Sequence, residues 1–309
     1  MRLAAALSSL ALIAGCDTMS APADARKAFN QRAALIAKAW EASAAATTIR
    51  KGLTLLSIQT WRPYVDAPLD PIDENIRQTI LAGRFVLHIP KQAPPEPGTV
   101  TFADGGTMTV PLVTVYDAYK QLLVPTPTCF PHEPHCVMLT ITGARLTTRH
   151  LLTGRGEADV PVWRFTVAGL AKTVDQVAVA PAALTPVPPE VLGLTDPLAS
   201  PRSARAGPAP DDRGPEFTGG DSLQAAAGTS LTFRTFSTEA CSTVSGPLVY
   251  EDARTVVLGA TVKRAPPGTS CALSLTVTRY SVTLAAPIGD RVVLDVVKGS
   301  PLFVRESLW

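Results

Sequence analysis

Val137-Met138-Leu139-Thr140-Ile141-Thr142-Gly143, Arg145 to Leu152, Thr153-Gly154-Arg155-Gly156 and Asp159-Val160-Pro161-Val162-Trp163-Arg164-Phe165-Thr166-Val167 together decide the fold class. In the first run Val137, Leu139 and Ile141 alternate with Met138, Thr140 and Thr142, the period of two that places one side of a strand in a core. That strand is predicted to end at Gly143, with further strands over Arg145 to Leu152 and Asp159 to Val167 about the Gly154–Gly156 turn. Trp163 and Phe165 share parity, so both are predicted on one buried face.

Working outward, the same signals recur. Toward the N-terminus, strands are predicted over Leu53 to Trp61 and Phe85 to Ile89, with a short helix from Glu74 to Ala82 stopped by Gly83. Gly98 to Val110 is a hairpin about Asp104-Gly105-Gly106. Val115 to Leu123 is a helix with Tyr116, Tyr119 and Leu123 on one side, and Val174 to Val179 is another strand. Toward the C-terminus, Leu231 to Phe236, Leu248 to Tyr250, Thr255 to Lys263, Leu273 to Leu284 and Arg291 to Val297 read as a small antiparallel β-fold. Before all of these, Phe29, Ala33, Ile36, Trp40 and Ala44 recur at helical spacing from Ser20 to about Ala46. That amphipathic helix is expected to pack on the first domain. Prolines at 181, 186, 188, 189, 197, 201, 208, 210 and 215 mark a linker, and such segments are extended and semi-rigid.

The fold class is therefore mainly β, a β-rich α+β arrangement of two small domains joined by a Pro-rich linker, with an N-terminal amphipathic helix. Residues 1–15 are a signal segment, 16–48 an anchor and the helix, 49–180 domain 1, 181–221 the linker and 222–309 domain 2. The linker is expected to hold the domains apart.

Of 309 residues, 46% are hydrophobic and 17% charged, which fits a folded chain. A net charge of +2 offers no field to recruit nucleic acid, so nucleic acid is not an expected partner. Arg2, the apolar run Leu3 to Ile13, and Ala14-Gly15 before Cys16 have the form of an export signal too short to span a bilayer. This stretch resembles the bacterial lipobox, and the resemblance implies a diacylglycerol on Cys16 after cleavage; an ordinary secretory signal with a free Cys16 is the alternative. Two or three acyl chains hold a protein at a membrane, at about 0.8 kcal/mol per buried methylene. The expected location is thus the extracytoplasmic face of the cell membrane, anchored by lipid. Asp17 resembles the signal for inner-membrane retention in hosts with an outer membrane.

Four cysteines remain, and an oxidising compartment favours disulfides. Local pairing of Cys129 with Cys136 and of Cys241 with Cys271 is preferred to either crossed alternative, because each pair then lies within one domain. On the chain-entropy model the two bonds contribute about 2.5 and about 3.5 kcal/mol.

Thr142-Gly143-Ala144, the Thr153–Ala158 stretch and Val160-Pro161-Val162-Trp163-Arg164-Phe165, with Pro287-Ile288-Gly289-Asp290-Arg291, Leu294-Asp295, Gly299 and Pro301, resemble segments of uncharacterised actinobacterial lipoproteins. The likeness covers about a third of the chain. It implies a cell-surface location and a high-GC source, and brings no catalytic residue with it.

Chemistry is sparse. Cys129, His132, His135 and Cys136 are a possible Zn²⁺ or Cu⁺ set, opposed by the oxidising compartment and by Pro131 and Pro134. His132-Glu133-Pro134-His135 lacks the helical metalloprotease spacing. Gly220-Asp221-Ser222-Leu223 is similar to the GDSL hydrolase motif, but no histidine follows it. The Asp290 with Asp295 and Glu251 with Asp252 pairs read as turn and strand-end solvation, and Trp163 or Trp61 could stack on carbohydrate. No catalytic residue and no cofactor is assigned. The expected role is non-enzymatic binding of an unknown protein or cell-wall ligand; the alternatives are a cell-envelope hydrolase and a metal-binding envelope protein using the Cys129 to Cys136 loop.

Overall fold

The computed structural model describes residues 21–56, 64–65, 76, 79–80, 82–90, 92–123, 138–187, 216–220, 222–239, 243–263, 269–270 and 273–304. Among the described residues it is mainly β, with three α-helices of eight or more residues, as the alternating runs require.

The organising pair is β5 (Leu139–Thr153) and β6 (Gly156–Val167), one long antiparallel hairpin. The predicted stop at Gly143 is instead a register shift between Ile141 and Gly143. A bulge lets the strand run on by adding one residue, which period alone cannot distinguish from an end. β6 also borders β3 (Gly98–Phe102) and β7 (Val174–Val177), which divide its other edge. Pro161 sits between those two contacts. Its carbonyl accepts from the Ala178 amide on that edge, so its missing amide falls on the same edge, where pairing changes from one strand to the other. β4 (Thr107–Val110) closes the predicted hairpin with β3, β1 (Tyr64–Val65) pairs with β7, and β2 (Phe85–Leu87) runs parallel to β5.

β6 is buried on both faces. Trp163, Phe165 and Val167 pack with α3 (Val115–Leu122), while Ala158 and Val160 pack with Leu53, Leu55, Val100 and Phe102. Helix α3 turns Val115, Ala118 and Leu122 inward, not the Tyr116 side, which stays largely exposed. The expected strand from Leu53 is, over its described part, two isolated bridges, Leu53 to Leu184 and Leu55 to Thr153.

The C-terminal part holds two sheets. β9 (Ser222–Ala227), β10 (Ser230–Glu239) and β13 (Leu273–Thr283) form one. The other centres on β12 (Thr255–Lys263), flanked by β11 (Thr243–Glu251) on one edge and by β8 (Glu216–Gly219) and β14 (Val292–Asp295) sharing the other. Two expectations give way here. β14 lies parallel to β12, so this part is not wholly antiparallel, and β8 lies inside the stretch assigned to the linker.

The N-terminal helix departs most from expectation. It is two helices, α1 (Ala23–Glu41) and α2 (Ala44–Lys51), parted where the Ser43 hydroxyl accepts from the Ala46 amide as an N-cap. Its stripe of Phe29, Ala33, Ile36 and Trp40 packs on the C-terminal sheets, not on the first domain. Phe29 meets Phe217 edge-on at 5.7 Å, and the Arg32 guanidinium donates to the Val296 and Val297 carbonyls at 2.8 and 2.9 Å. Helical periodicity fixes which residues face inward but not which core receives them.

Nor are the two β regions held apart. Leu56 donates to Leu152 and accepts from Val304, joining both. At the β5–β6 turn the Glu157 amide donates to the Gly289 carbonyl at 2.7 Å, while its carboxylate accepts from the Gly228 and Gly289 amides. Residues 188–215 of the proline-rich segment lie outside the described residues.

Candidate functional site

A groove of about 760 Å³ opens between β2 with the segment following it and helix α3, and a volume of this size suits a small ligand or a short peptide. Val86, Leu87, Ile89, Pro90 and Pro94 form one wall, Val115, Tyr116 and Tyr119 the other, with Gln92 and Thr114 as the polar additions. None of these side chains is charged.

The local sequence explains the arrangement. The Thr114 hydroxyl accepts from the Asp117 amide and caps α3, fixing where the helix begins. Positions 116 and 119 are three apart and therefore share a side of the helix, on which Tyr119 packs partly against the core and Tyr116 faces out. Tyr116 is 55% exposed, and its ring lies 6.2 Å from that of Tyr119. The Tyr119 hydroxyl donates to the Phe85 carbonyl at 3.0 Å and so ties α3 to β2. Burial and the neighbouring Tyr116 raise the Tyr119 phenol above its ordinary value, so it remains a donor across the physiological range. At the rim, Lys120 pairs with Asp117 at 3.5 Å and stands 4.5 Å above the Tyr116 ring, so the charge there is compensated within the helix. Sequence reasoning placed the two tyrosines together and predicted a strand over Phe85 to Ile89, of which Phe85–Leu87 forms; it did not bring that strand and the prolines after it opposite the tyrosines.

A second, smaller pocket of about 260 Å³ is lined by Phe217, Thr218, Gly219, Gly220, Asp295, Val297 and Lys298. Asp295 is buried at the end of β14. Its Oδ1 accepts from the Val297 and Lys298 amides, while Oδ2 has no hydrogen-bond partner among the described residues. Burial pushes its carboxyl up to about 6, although the Lys298 and Val297 amides, the Lys298 charge and the nearby Gly220 amide favour the ionised form. Asp295 is thus a core acid, and solvation at a strand end does not describe it. The Asp290 with Asp295 pair has no joint site: Asp290 lies on the turn facing Gly156. Glu251 and Asp252 likewise separate, since Glu251 pairs with Arg291 at 2.7 Å and Asp252 caps its own turn through the Arg254 and Thr255 amides.

The hydrolase-like serine is closed to substrate. Ser222 is fully buried, and its hydroxyl meets Gln224 and Arg234. Trp163 is 5% exposed and donates to the Val113 carbonyl at 2.9 Å, which removes it as a sugar platform. Its buried-face assignment with Phe165 holds. His150 meets two carboxylates, Glu157 at 3.3 Å and Asp159 at 3.2 Å; burial works against its charged form, and the two carboxylates outweigh it, raising the imidazole above its ordinary value.

Cys16, Trp61, Cys129, His132, His135, Cys136, Cys241 and Cys271 all lie outside the described residues. Among the described residues no group of three or more histidine, cysteine or acidic side chains could hold a metal ion, and no helix is long and apolar enough to cross a membrane. Comparisons with protein-family models, with curated proteins and with solved structures find no match to this chain.

Proposed function

We propose that the protein is a lipid-anchored, non-enzymatic binding protein of the extracytoplasmic membrane face, and that the groove between β2 and α3 holds its ligand. The observation that carries the binding reading is an uncharged, largely apolar groove walled by Tyr119 and by Tyr116, which is exposed and which the core does not require. The lipobox pattern before Cys16 and the likeness to actinobacterial lipoproteins support the anchor. Against a hydrolase, Ser222 of the hydrolase-like motif is buried, and His150 is engaged by the Glu157 and Asp159 carboxylates.

Two measurements test this reading separately. Produced in a bacterial host with its own leader, the wild-type chain is expected in the membrane fraction with a diacylglycerol mass on its N-terminal peptide. The Cys16→Ala chain is expected to lack that mass, and equal membrane retention of both would remove the anchor. For the groove, the neutral dye Nile red is expected to bind the mature protein. Tyr116→Ala is expected to weaken it about 10-fold, roughly 1.4 kcal/mol, with the melting temperature unchanged because Tyr116 is mostly exposed. Dye binding indifferent to Tyr116 would place the apolar site elsewhere.

A further inference from the structure

We propose that the occupant of this groove is an extended, uncharged peptide segment that pairs with β2 as an added strand. The inference rests on the groove reading above and goes further by naming the chemistry of the partner.

Among the described residues β2 pairs on one side only, with β5. Arg84 accepts from the Leu139 amide at 3.0 Å and His88 donates to the Ile141 carbonyl at 2.9 Å, so the even-numbered residues address β5. Main-chain groups alternate along a strand, and the odd-numbered residues therefore address the opposite edge. The Tyr119 bond to the Phe85 carbonyl confirms that this edge is the one beside α3. Tyr119 thus satisfies the first outward carbonyl. Two residues on, Leu87 lines the groove, and there its outward amide and carbonyl meet no described partner. The strand ends at Leu87, and Ile89 stands at a bend beyond it.

This decides between the two apolar occupants that a groove of this kind admits. A hydrocarbon chain would cover the Leu87 main-chain groups without bonding them, leaving a buried donor and acceptor unpaired. An extended peptide satisfies them and sets alternate side chains against Val86, Tyr116 and Pro94, which is strand addition. The uncharged lining selects an uncharged segment, because an ion entering it would lose water without gaining a partner.

The test uses the mature full chain and an array of acetylated, amidated hexapeptides in which Thr or Ser alternates with Ala, Val, Leu, Phe or Tyr. Members of the array are expected to bind. Methylating the backbone nitrogens of one alternate set should weaken binding about 10-fold and methylating the other set should leave it nearly unchanged, because only one set faces β2. Leu87→Pro, which deletes an amide that β5 does not use, is expected to lose peptide binding about 10-fold relative to Leu87→Ala, which removes the same groove-lining side chain and keeps the amide, so the ratio of the two variants reads the main-chain bond. An array without binders, with the dye still bound, overturns the peptide and leaves the groove. Loss of the dye as well overturns both. Equal effects of the two methylation patterns, displacement of the peptide by palmitate with no response to Leu87→Pro, or a dimer that Leu87→Pro abolishes would each overturn strand addition by a partner peptide.

Discussion

Asp295→Asn is expected to raise stability at pH 7 by up to about 3 kcal/mol and to remove a pH dependence that the wild type shows between about pH 4 and 6. An aspartate ordinarily titrates near 3.9, and burial pushes Asp295 up to about 6, each tenfold change in proton affinity being worth about 1.4 kcal/mol. The folded form therefore holds a proton that the unfolded form has released across this window. Stability falls as pH rises through it, and above pH 6 the ionised side chain carries the full cost. Asparagine keeps an oxygen for the Val297 and Lys298 amides and introduces no charge beside Gly219, whose Cα admits Oδ2 so closely that a Cβ would stand only 1.6 Å from it. Urea unfolding of both chains at pH 4, 5, 6 and 7 measures this. The two stabilities should agree best at pH 4 and diverge by pH 7; a constant difference would mean that Asp295 does not titrate in the folded state.

Gly156→Ala is expected to cost about 3 kcal/mol or more. Gly156 has φ +84°, and an added Cβ would stand 2.1 Å from the Gly289 carbonyl oxygen and 2.4 Å from the Asp290 Cα. Both are main-chain atoms of the opposing turn, so the β5–β6 tip has to withdraw and the Glu157 bonds to Gly228 and Gly289 loosen with it. Gly289→Ala separates backbone strain from contact. Its φ is +56°, but its nearest neighbour would lie 3.8 Å away, so it should cost only about 1 kcal/mol. Equal losses at both positions in denaturant titrations would show that left-handed strain alone is at work and that the tip does not hold the two β regions together.

Local signals and long-range ones divided sharply in this chain. The Gly98–Val110 hairpin, the α3 helix and the β12 strand were legible because each is set by residues within a dozen positions of one another. The bulge at Gly143, the parallel placement of β14 and the burial of Asp295 depend on partners far along the chain, and no local pattern encodes them. Half of the groove was visible in the Tyr116 and Tyr119 spacing. The other half needed the knowledge that β2 lies at an edge, which follows from pairing and not from Phe-Val-Leu as a motif.

Helix α1, near the start of the chain, completes its core against β14 near the end, with Arg32 bonded to a carbonyl 264 positions later. Loop-closure entropy must be met before such a contact rewards the chain, which places this protein among slow folders. The order of synthesis matters too. A ribosome or translocase releasing the chain from its N-terminus delivers Phe29, Ile36 and Trp40 long before the surface that covers them. Until Val296 emerges, the first helix has no native partner in that core, and a truncation ahead of β14 would leave its apolar stripe open to solvent and to other chains.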